Sequence, residues 1–188
     1  LTIGSLFACL LRCLSVALRP GQPRISAEID GKDIGWLVNR MAAEGRRSGD
    51  LFLNLRIYYG VRWLSKRIPI AKCVYPFENR AWEKMLVLGM NDGSPQTHVA
   101  GYQHASLTQS HTNFMFGPGE AEVTPLPNSI LTTGGLITRW LEAEGNYPER
   151  IFKTACALRQ SQPDQIDQRT DGASAHVLMA LASSLQEY

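Results

Sequence analysis

Residues 51–77, with the sequence LFLNLRIYYGVRWLSKRIPIAKCVYPF, are the stretch on which the fold class depends, because they fit two secondary structures. A helix over residues 53–67 collects the aliphatic side chains on one side, namely Ile57, Val61, Leu64 and Ile68. A strand over residues 51–59 instead alternates leucines with polar or aromatic positions. The two interpretations fit equally well up to Gly60, and both leave cations beside aromatic rings on an outward face.

The same stretch has a charge pattern that indicates contact with a polyanion. It contains 27 residues without an Asp or Glu, between Asp50 and Glu78. Cations beside aromatic rings suit phosphate neutralisation and base stacking, and stacking contributes ~1–3 kcal/mol per base. The candidate residues for RNA or another polyanion are Arg56, Tyr59, Arg62, Trp63, Lys66, Arg67 and Lys72. Two alternatives stay open: a lipid headgroup zone, and a structural element whose cations pair with the acids of residues 78–145.

Composition indicates an ordered domain with a partly covered surface. The chain has 188 residues, of which 44% are apolar, so intrinsic disorder is excluded and one domain is expected. The charged fraction of 19% is below the value of about 25% that is usual in soluble domains. The net charge of +2 combines the acid-free stretch with an acidic region, residues 78–145, where three basic residues face seven acids.

Residues 1–19 predict an apolar helix that must be buried in protein or lipid. The polar residues fall on one narrow stripe: Thr2, Ser5, Arg12, Ser15 and Arg19. A membrane span is disfavoured, because an Arg at the centre of a span costs at least ~2.5 kcal/mol. Residues 1–27 carry three Arg and no acid, which is similar to a mitochondrial targeting segment. We favour a helix that docks on protein, with a membrane-associated helix and a retained targeting segment as alternatives.

Periodicity and turn signals predict a mainly α fold of about six helices with a small β component. Further helices are expected at 33–44, 76–88, 130–144, 146–160 and after Asp171, with short strands at 24–30, 98–102 and 113–116. The helix over 76–88 is expected to leave Glu78 and Glu83 in solvent. We divide the chain into two parts. Residues 1–23 form a docking helix and the Pro- and Gly-containing segment that ends it, and residues 24–188 form a single compact helical domain with a long irregular segment at 91–129.

Motifs for catalysis are weak in this sequence. The four cysteines are scattered, and the sequence contains no Cys-x-x-Cys pair and no phosphate-loop, dinucleotide or nucleophile-elbow motif. His98, His104 and His111 lie in a stretch, residues 93–119, that has no charged residue, but their spacing is wider than in usual zinc sites. We therefore predict no catalytic residue, no metal and no cofactor. An uncharged loop of this length usually carries function or covers a neighbour.

These observations favour a non-catalytic structural subunit of a large multiprotein assembly, of the organellar ribosomal or respiratory-complex type. It would dock on other protein subunits through its N-terminal helix and its uncharged loop. We expect an intracellular location, and the targeting-like residues 1–27 indicate the mitochondrion. One alternative is an RNA-binding coat or nucleocapsid-type protein that uses residues 51–77. Another is a small enzyme that uses the loop histidines. A membrane-surface contact through residues 1–19 is a further expectation.

Overall fold

The computed structural model describes residues 3–19, 24–108, 110–155 and 177–179. The helices are α1 (Ile3–Ala17), α2 (Gly35–Arg47), α3 (Gly49–Ser65), α4 (Ala81–Gly93), α5 (Glu120–Val123) and α6 (Gly135–Glu144), with a 3-10 turn at Thr112–Phe114. The strands are β1 (Glu28–Ile29), β2 (Lys32–Asp33), β3 (Lys72–Pro76), β4 (His98–Tyr102), β5 (Ser129–Thr132), β6 (Phe152–Thr154) and β7 (Val177–Met179).

The centre of the fold is a five-stranded parallel sheet with the strand order β6-β5-β4-β3-β7. Strands β3 to β6 lie side by side in chain order, and β7 then pairs with the free side of β3. Strand β7 therefore lies beside β3 out of chain order, whereas β3 to β6 follow one another across the sheet. The strands β1 and β2 form a separate antiparallel hairpin.

The predicted mainly α fold is wrong, since the described chain is an α/β mixture built on this sheet. Strand β3 lies where Pro76 suggested a helix start, β5 lies at the start of the predicted helix 130–144, and β6 lies within the predicted helix 146–160. The strand β7 lies in the region of the predicted last helix. Buried parallel strands are short apolar runs, which periodicity alone does not separate from buried helices.

Other elements agree with the sequence. The stretch that fitted two structures is helical and forms α3, and the strand predicted at 98–102 is β4. The absence of charge in residues 93–119 has a structural cause, because β4 lies between β3 and β5 and its residues Val99, Ala100 and Tyr102 are buried. The strand expected at 113–116 is instead the 3-10 turn with the buried Phe114.

Helices α3 and α4 pack together through glycines. A Cβ atom added to Gly89 would lie 2.7 Å from the carbonyl oxygen of Tyr58 and 3.1 Å from Cβ of Val61. One added to Gly93 would lie 2.9 Å from the carbonyl oxygen of Arg62. The backbones of α3 and α4 therefore approach so closely that only glycine fits at Gly89 without a shift of backbone.

An aromatic cluster fills the core beside the sheet. Phe77 packs edge-on against Phe114 with ring centroids 5.9 Å apart, and Tyr147 packs against Phe116 at 4.7 Å and Phe152 at 4.8 Å. These residues come from the segments that follow β3, precede α5, follow α6 and form β6. The cluster thus holds together the loops that leave the sheet.

Candidate functional site at the carboxyl edge of the sheet

The loops that leave β3 and β4 emerge at the same edge of the sheet. The two strands are parallel, with Pro76 opposite Tyr102, and the N–H of Phe77 donates to the carbonyl oxygen of Tyr102 at 2.8 Å. Glu78 follows β3 and His104 follows β4, so both side chains belong to the carboxyl edge. Ligands of open α/β sheets bind at the carboxyl edge of the strands.

Glu83, in the first turn of α4, shapes the loop after β3. Its carboxylate is 1% exposed and accepts the N–H of Glu78 at 3.0 and 3.1 Å and the N–H of Asn79 at 2.9 Å. Burial raises the pKa of Glu83 to about 7, although the backbone hydrogen bonds act in the opposite direction. Asn79 has a φ of 58°, a left-handed conformation that these bonds hold in place.

The 3-10 turn is tied to this loop by two reciprocal hydrogen bonds. Nδ2 of Asn79 donates to the carbonyl oxygen of Asn113 at 2.7 Å, and Nδ2 of Asn113 donates to the carbonyl oxygen of Glu78 at 2.7 Å. Two distant parts of the chain therefore form one fixed surface over the end of β3.

Gln103 makes the equivalent connection between β4 and β5. Its side chain is fully buried, donates to the carbonyl oxygen of Ala105, and accepts from the N–H and the hydroxyl of Thr133 at 3.1 Å each. The ends of three neighbouring strands are thus linked by buried carboxylate and amide groups, which fixes the edge before any ligand binds.

Three ionisable side chains are presented on this fixed edge, and we name Glu78, Arg80 and His104 the edge cluster. One carboxylate oxygen of Glu78 lies 3.9 Å from Nε2 of His104, and the other lies 3.3 Å from Nε of Arg80. All three side chains are at least 36% exposed, so a ligand can reach them. The carboxylate of Glu78 can accept hydrogen bonds from hydroxyl groups, and the imidazole of His104 can donate or accept one.

The start of α6 completes the edge. Gly134 and Gly135 form the turn between β5 and α6, and a Cβ added at Gly134 would meet no atom within 4 Å. The first N–H groups of a helix have no partner within the helix and favour negative charge. The backbone here is open to a ligand that carries an anionic group.

The predicted polyanion residues lie away from this edge. Four of them are on α3, Lys66 and Arg67 directly follow its end, and Lys72 begins β3 at the opposite end of that strand. The guanidinium carbon of Arg67 lies 4.2 Å from the ring centroid of Trp63, and Arg67 also donates to the carbonyl oxygen of Trp63 at 3.2 Å. The exposed members are Arg56, Lys66, Arg67 and Lys72, whereas Tyr59, Arg62 and Trp63 are half-buried.

The loop histidines do not converge on one site. His98 lies at the amino end of β4, where its Nε2 is 3.0 Å from the hydroxyl of Ser129, whereas His104 lies beyond the carboxyl end. Nδ1 of His111 accepts the N–H of Thr108 at 3.1 Å. Among the residues that the structure describes, no group of three His, Cys, Asp or Glu side chains could hold a metal ion.

No sequence pattern predicted the edge cluster. The prediction that Glu83 lies in solvent is wrong, because this side chain is buried. The error follows from assigning residues 76–88 to a helix, which turned the loop after β3 into a helical surface. A usable signal was present: the polar residues Glu78, Asn79 and Arg80 come directly after the apolar run CVYPF. Comparison with known protein families, with curated proteins and with solved structures found no match for the chain.

Proposed function

We propose that this chain binds a small, hydroxyl-bearing ligand with an anionic group at the carboxyl edge of its parallel sheet. A phosphorylated sugar and a nucleotide belong to this chemical class. The observation that carries the proposal is the pairing of Glu78 with His104, on loops that Glu83, Asn113 and Gln103 hold in place. The position of ligands in other open α/β sheets supports it as an analogy of fold.

Each part of the edge has a chemical task in this proposal. The carboxylate of Glu78 accepts hydrogen bonds from ligand hydroxyls, and the imidazole of His104 lies beside it to donate or accept a proton. Arg80 and the first turn of α6 favour the anionic group. Because the supporting groups are already bonded to each other, little ordering is needed when the ligand binds.

The proposal predicts weaker ligand binding in variants of the edge cluster. A panel of nucleotides and sugar phosphates is titrated by calorimetry, and the best ligand is then tested on the variants Glu78→Gln and His104→Ala. We expect each variant to lower the affinity about tenfold or more, which corresponds to the loss of one charge-assisted hydrogen bond. The variant Glu122→Gln, at an exposed position of α5, is the matched control and is expected to bind normally.

Two outcomes contradict this proposal. In one, no member of the panel binds with a dissociation constant below about 1 mM, the range of weak specific ligands. In the other, a ligand binds, but its NMR chemical-shift changes lie outside the loops after β3, β4 and β5.

A second candidate, contact with RNA or another polyanion through α3, is supported by the stacking of Arg67 on Trp63. A guanidinium held over an indole ring offers both a charge for phosphate and a flat surface for a base. The exposed cations Arg56 and Lys66 lie on α3 and at its C-cap.

This candidate predicts a loss of RNA affinity when charge is reversed on α3. The triple variant Arg56→Glu, Lys66→Glu and Arg67→Glu is expected to bind single-stranded RNA at least about tenfold more weakly. The slope of log K against log salt concentration should become smaller in magnitude by ~0.7 for each lost phosphate contact. The matched control changes three exposed cations elsewhere, Arg40, Arg150 and Lys153, to Glu. Equal losses in both triple variants, measured by fluorescence anisotropy, would show only non-specific charge attraction.

The structural-subunit hypothesis stays a proposal. Its support is the apolar surface of α1, where Phe7 and Leu14 are more than half exposed. The uncharged stretch supports it less, since β4 lies inside the sheet and Gln103, Phe114 and Phe116 are also buried within the chain. An organellar location likewise stays a prediction.

A further inference from the structure

Helix α1 packs on the protein with its small side chains and leaves its large ones outside. The half-buried or buried positions are Ser5, Ala8, Cys9, Cys13 and Val16, and α1 rests mainly on α3. The outward side chains, which are 50–88% exposed, are Ile3, Phe7, Leu10, Leu11, Leu14 and Leu18. This arrangement is the reverse of an ordinary surface helix, which buries its largest apolar side chains in the core.

The apolar surface continues from α1 onto the start of α3. A groove of about 450 Å³ runs between α1 and the start of α3, where Leu10 and Leu14 lie opposite Leu51 and Phe52. On α2, the side chains of Trp36 and Met41 are 66% and 63% exposed. A patch that extends over several elements marks an interaction site, whereas single exposed apolar residues are normal.

The charge of this part of the chain is positive. Residues 1–67 contain 11 Lys and Arg against 5 Asp and Glu, whereas residues 68–188 contain 8 against 12. No acid precedes Glu28, but three Arg do. On a helical wheel, Arg12 lies on the side of α1 opposite to Phe7 and Leu14, which is the side that packs on the protein, and Arg19 follows the end of the helix. Both arginine side chains are nevertheless exposed.

We propose that α1 lies in the interface of an anionic lipid bilayer, parallel to its plane. The large side chains of α1 enter the acyl region, and the exposed side chains of Arg12 and Arg19 extend from the protein-packed side to the headgroups. Basic residues near the membrane surface add attraction to anionic headgroups. This surface contact needs no spanning segment, and within the described ranges no helix has the length and apolarity to cross a bilayer.

An anionic membrane fits this surface better than a protein partner does. The apolar face is formed by flexible aliphatic side chains together with Phe7, and it is accompanied by an excess of positive charge over all three helices. A protein interface would have to match both the shape and the charge, whereas a fluid anionic bilayer supplies both without a specific shape.

The experiment is co-sedimentation of the full chain with lipid vesicles. Vesicles of phosphatidylcholine alone are compared with vesicles that contain about 30% phosphatidylglycerol, at low and high salt. We expect binding to the anionic vesicles, weakened by salt. The double variant Leu10→Glu and Leu14→Glu should lower the partition coefficient about tenfold or more, since charged groups on the apolar face are excluded from the acyl region.

A matched control tests whether added negative charge outside α1 to α3 also weakens vesicle binding. The double variant Val123→Glu and Leu136→Glu introduces the same charges at positions that are 83% and 73% exposed and lie outside α1 to α3. It is expected to bind vesicles nearly as well as the unchanged chain. Circular dichroism of both double variants checks that they fold, and a second α1 variant, Arg12→Gln with Arg19→Gln, tests the charge without touching the apolar face.

Several results would overturn the proposal. They are absence of binding to the anionic vesicles, equal loss in the two Glu double variants, and binding that the α1 variants do not change. If the chain self-associates through α1 in ultracentrifugation but does not bind vesicles, the apolar face is instead the contact surface for a second copy of the chain. None of these results depends on the ligand proposed for the edge cluster.

Discussion

Replacing Gly89 by Ala is expected to lower the free energy of unfolding by about 2 kcal/mol, within the range of 1–3 kcal/mol that overpacking usually costs. The added methyl group would lie 2.7 Å from the carbonyl oxygen of Tyr58, a backbone atom that moves only if α3 moves. Chemical denaturation, followed by circular dichroism, measures the change.

The same substitution at Gly45 is the matched control. Gly45 lies inside α2, and an added Cβ would meet no atom within 4 Å, so Ala should stabilise the helix by up to ~1 kcal/mol. The two Gly→Ala variants therefore have opposite expected signs. A stabilising effect of Gly89→Ala would mean that α3 and α4 do not make the close contact described above.

The second large effect concerns Glu83 and pH. Its ordinary pKa is 4.5, and burial raises it to about 7, so the folded chain holds this proton more tightly than the unfolded chain does. The contribution of Glu83 to the free energy of unfolding is therefore fully present below pH 4.5. It falls as the pH rises towards 7 and is lost above pH 7, where the chain is less stable by up to about 3 kcal/mol. In the variant Glu83→Gln this contribution disappears.

The measurement is the free energy of unfolding of both chains between pH 5 and pH 8. We expect the difference between the unchanged chain and Glu83→Gln to shift in favour of the variant as pH rises, whereas Glu122→Gln should follow the unchanged chain. The other ionisable side chains close to Glu83 are Glu78, Tyr75 and Tyr147, and they are the same in all three chains. Parallel curves for the unchanged chain and Glu83→Gln would show that Glu83 is ionised in the fold throughout.

The sequence predicted the helices of this chain better than its sheet. Helices α1 and α2 have repeated apolar positions over 15 and 13 residues, and such patterns are long enough to be specific, whereas the pattern of α3 also fitted a strand up to Gly60. Strands β3, β5 and β6 have three to five residues each, and their neighbours in the sheet come from distant segments. Pairing between distant segments leaves little trace in a short window, which is why the fold class was assigned wrongly.

The candidate site was harder to predict than the fold. The edge cluster is assembled from the ends of two strands, and no local motif brings Glu78 next to His104. The buried supports, Glu83 and Gln103, are polar residues that a sequence assigns to solvent by default. Only the parallel pairing of β3 with β4 shows that these residues meet.

The pairing of β7 with β3 also has a consequence for the order of events during synthesis. Lys72 pairs with Val177, so one side of β3 receives its partner about 100 residues after β3 has been made. At ~5–20 residues per second, this interval lasts roughly 5–20 seconds, during which an edge with unpaired N–H and C=O groups is exposed on the nascent chain. The ribosome-bound intermediate is thus the form of this protein that is most open to mispairing with other strands, and chaperones would be expected to act on it.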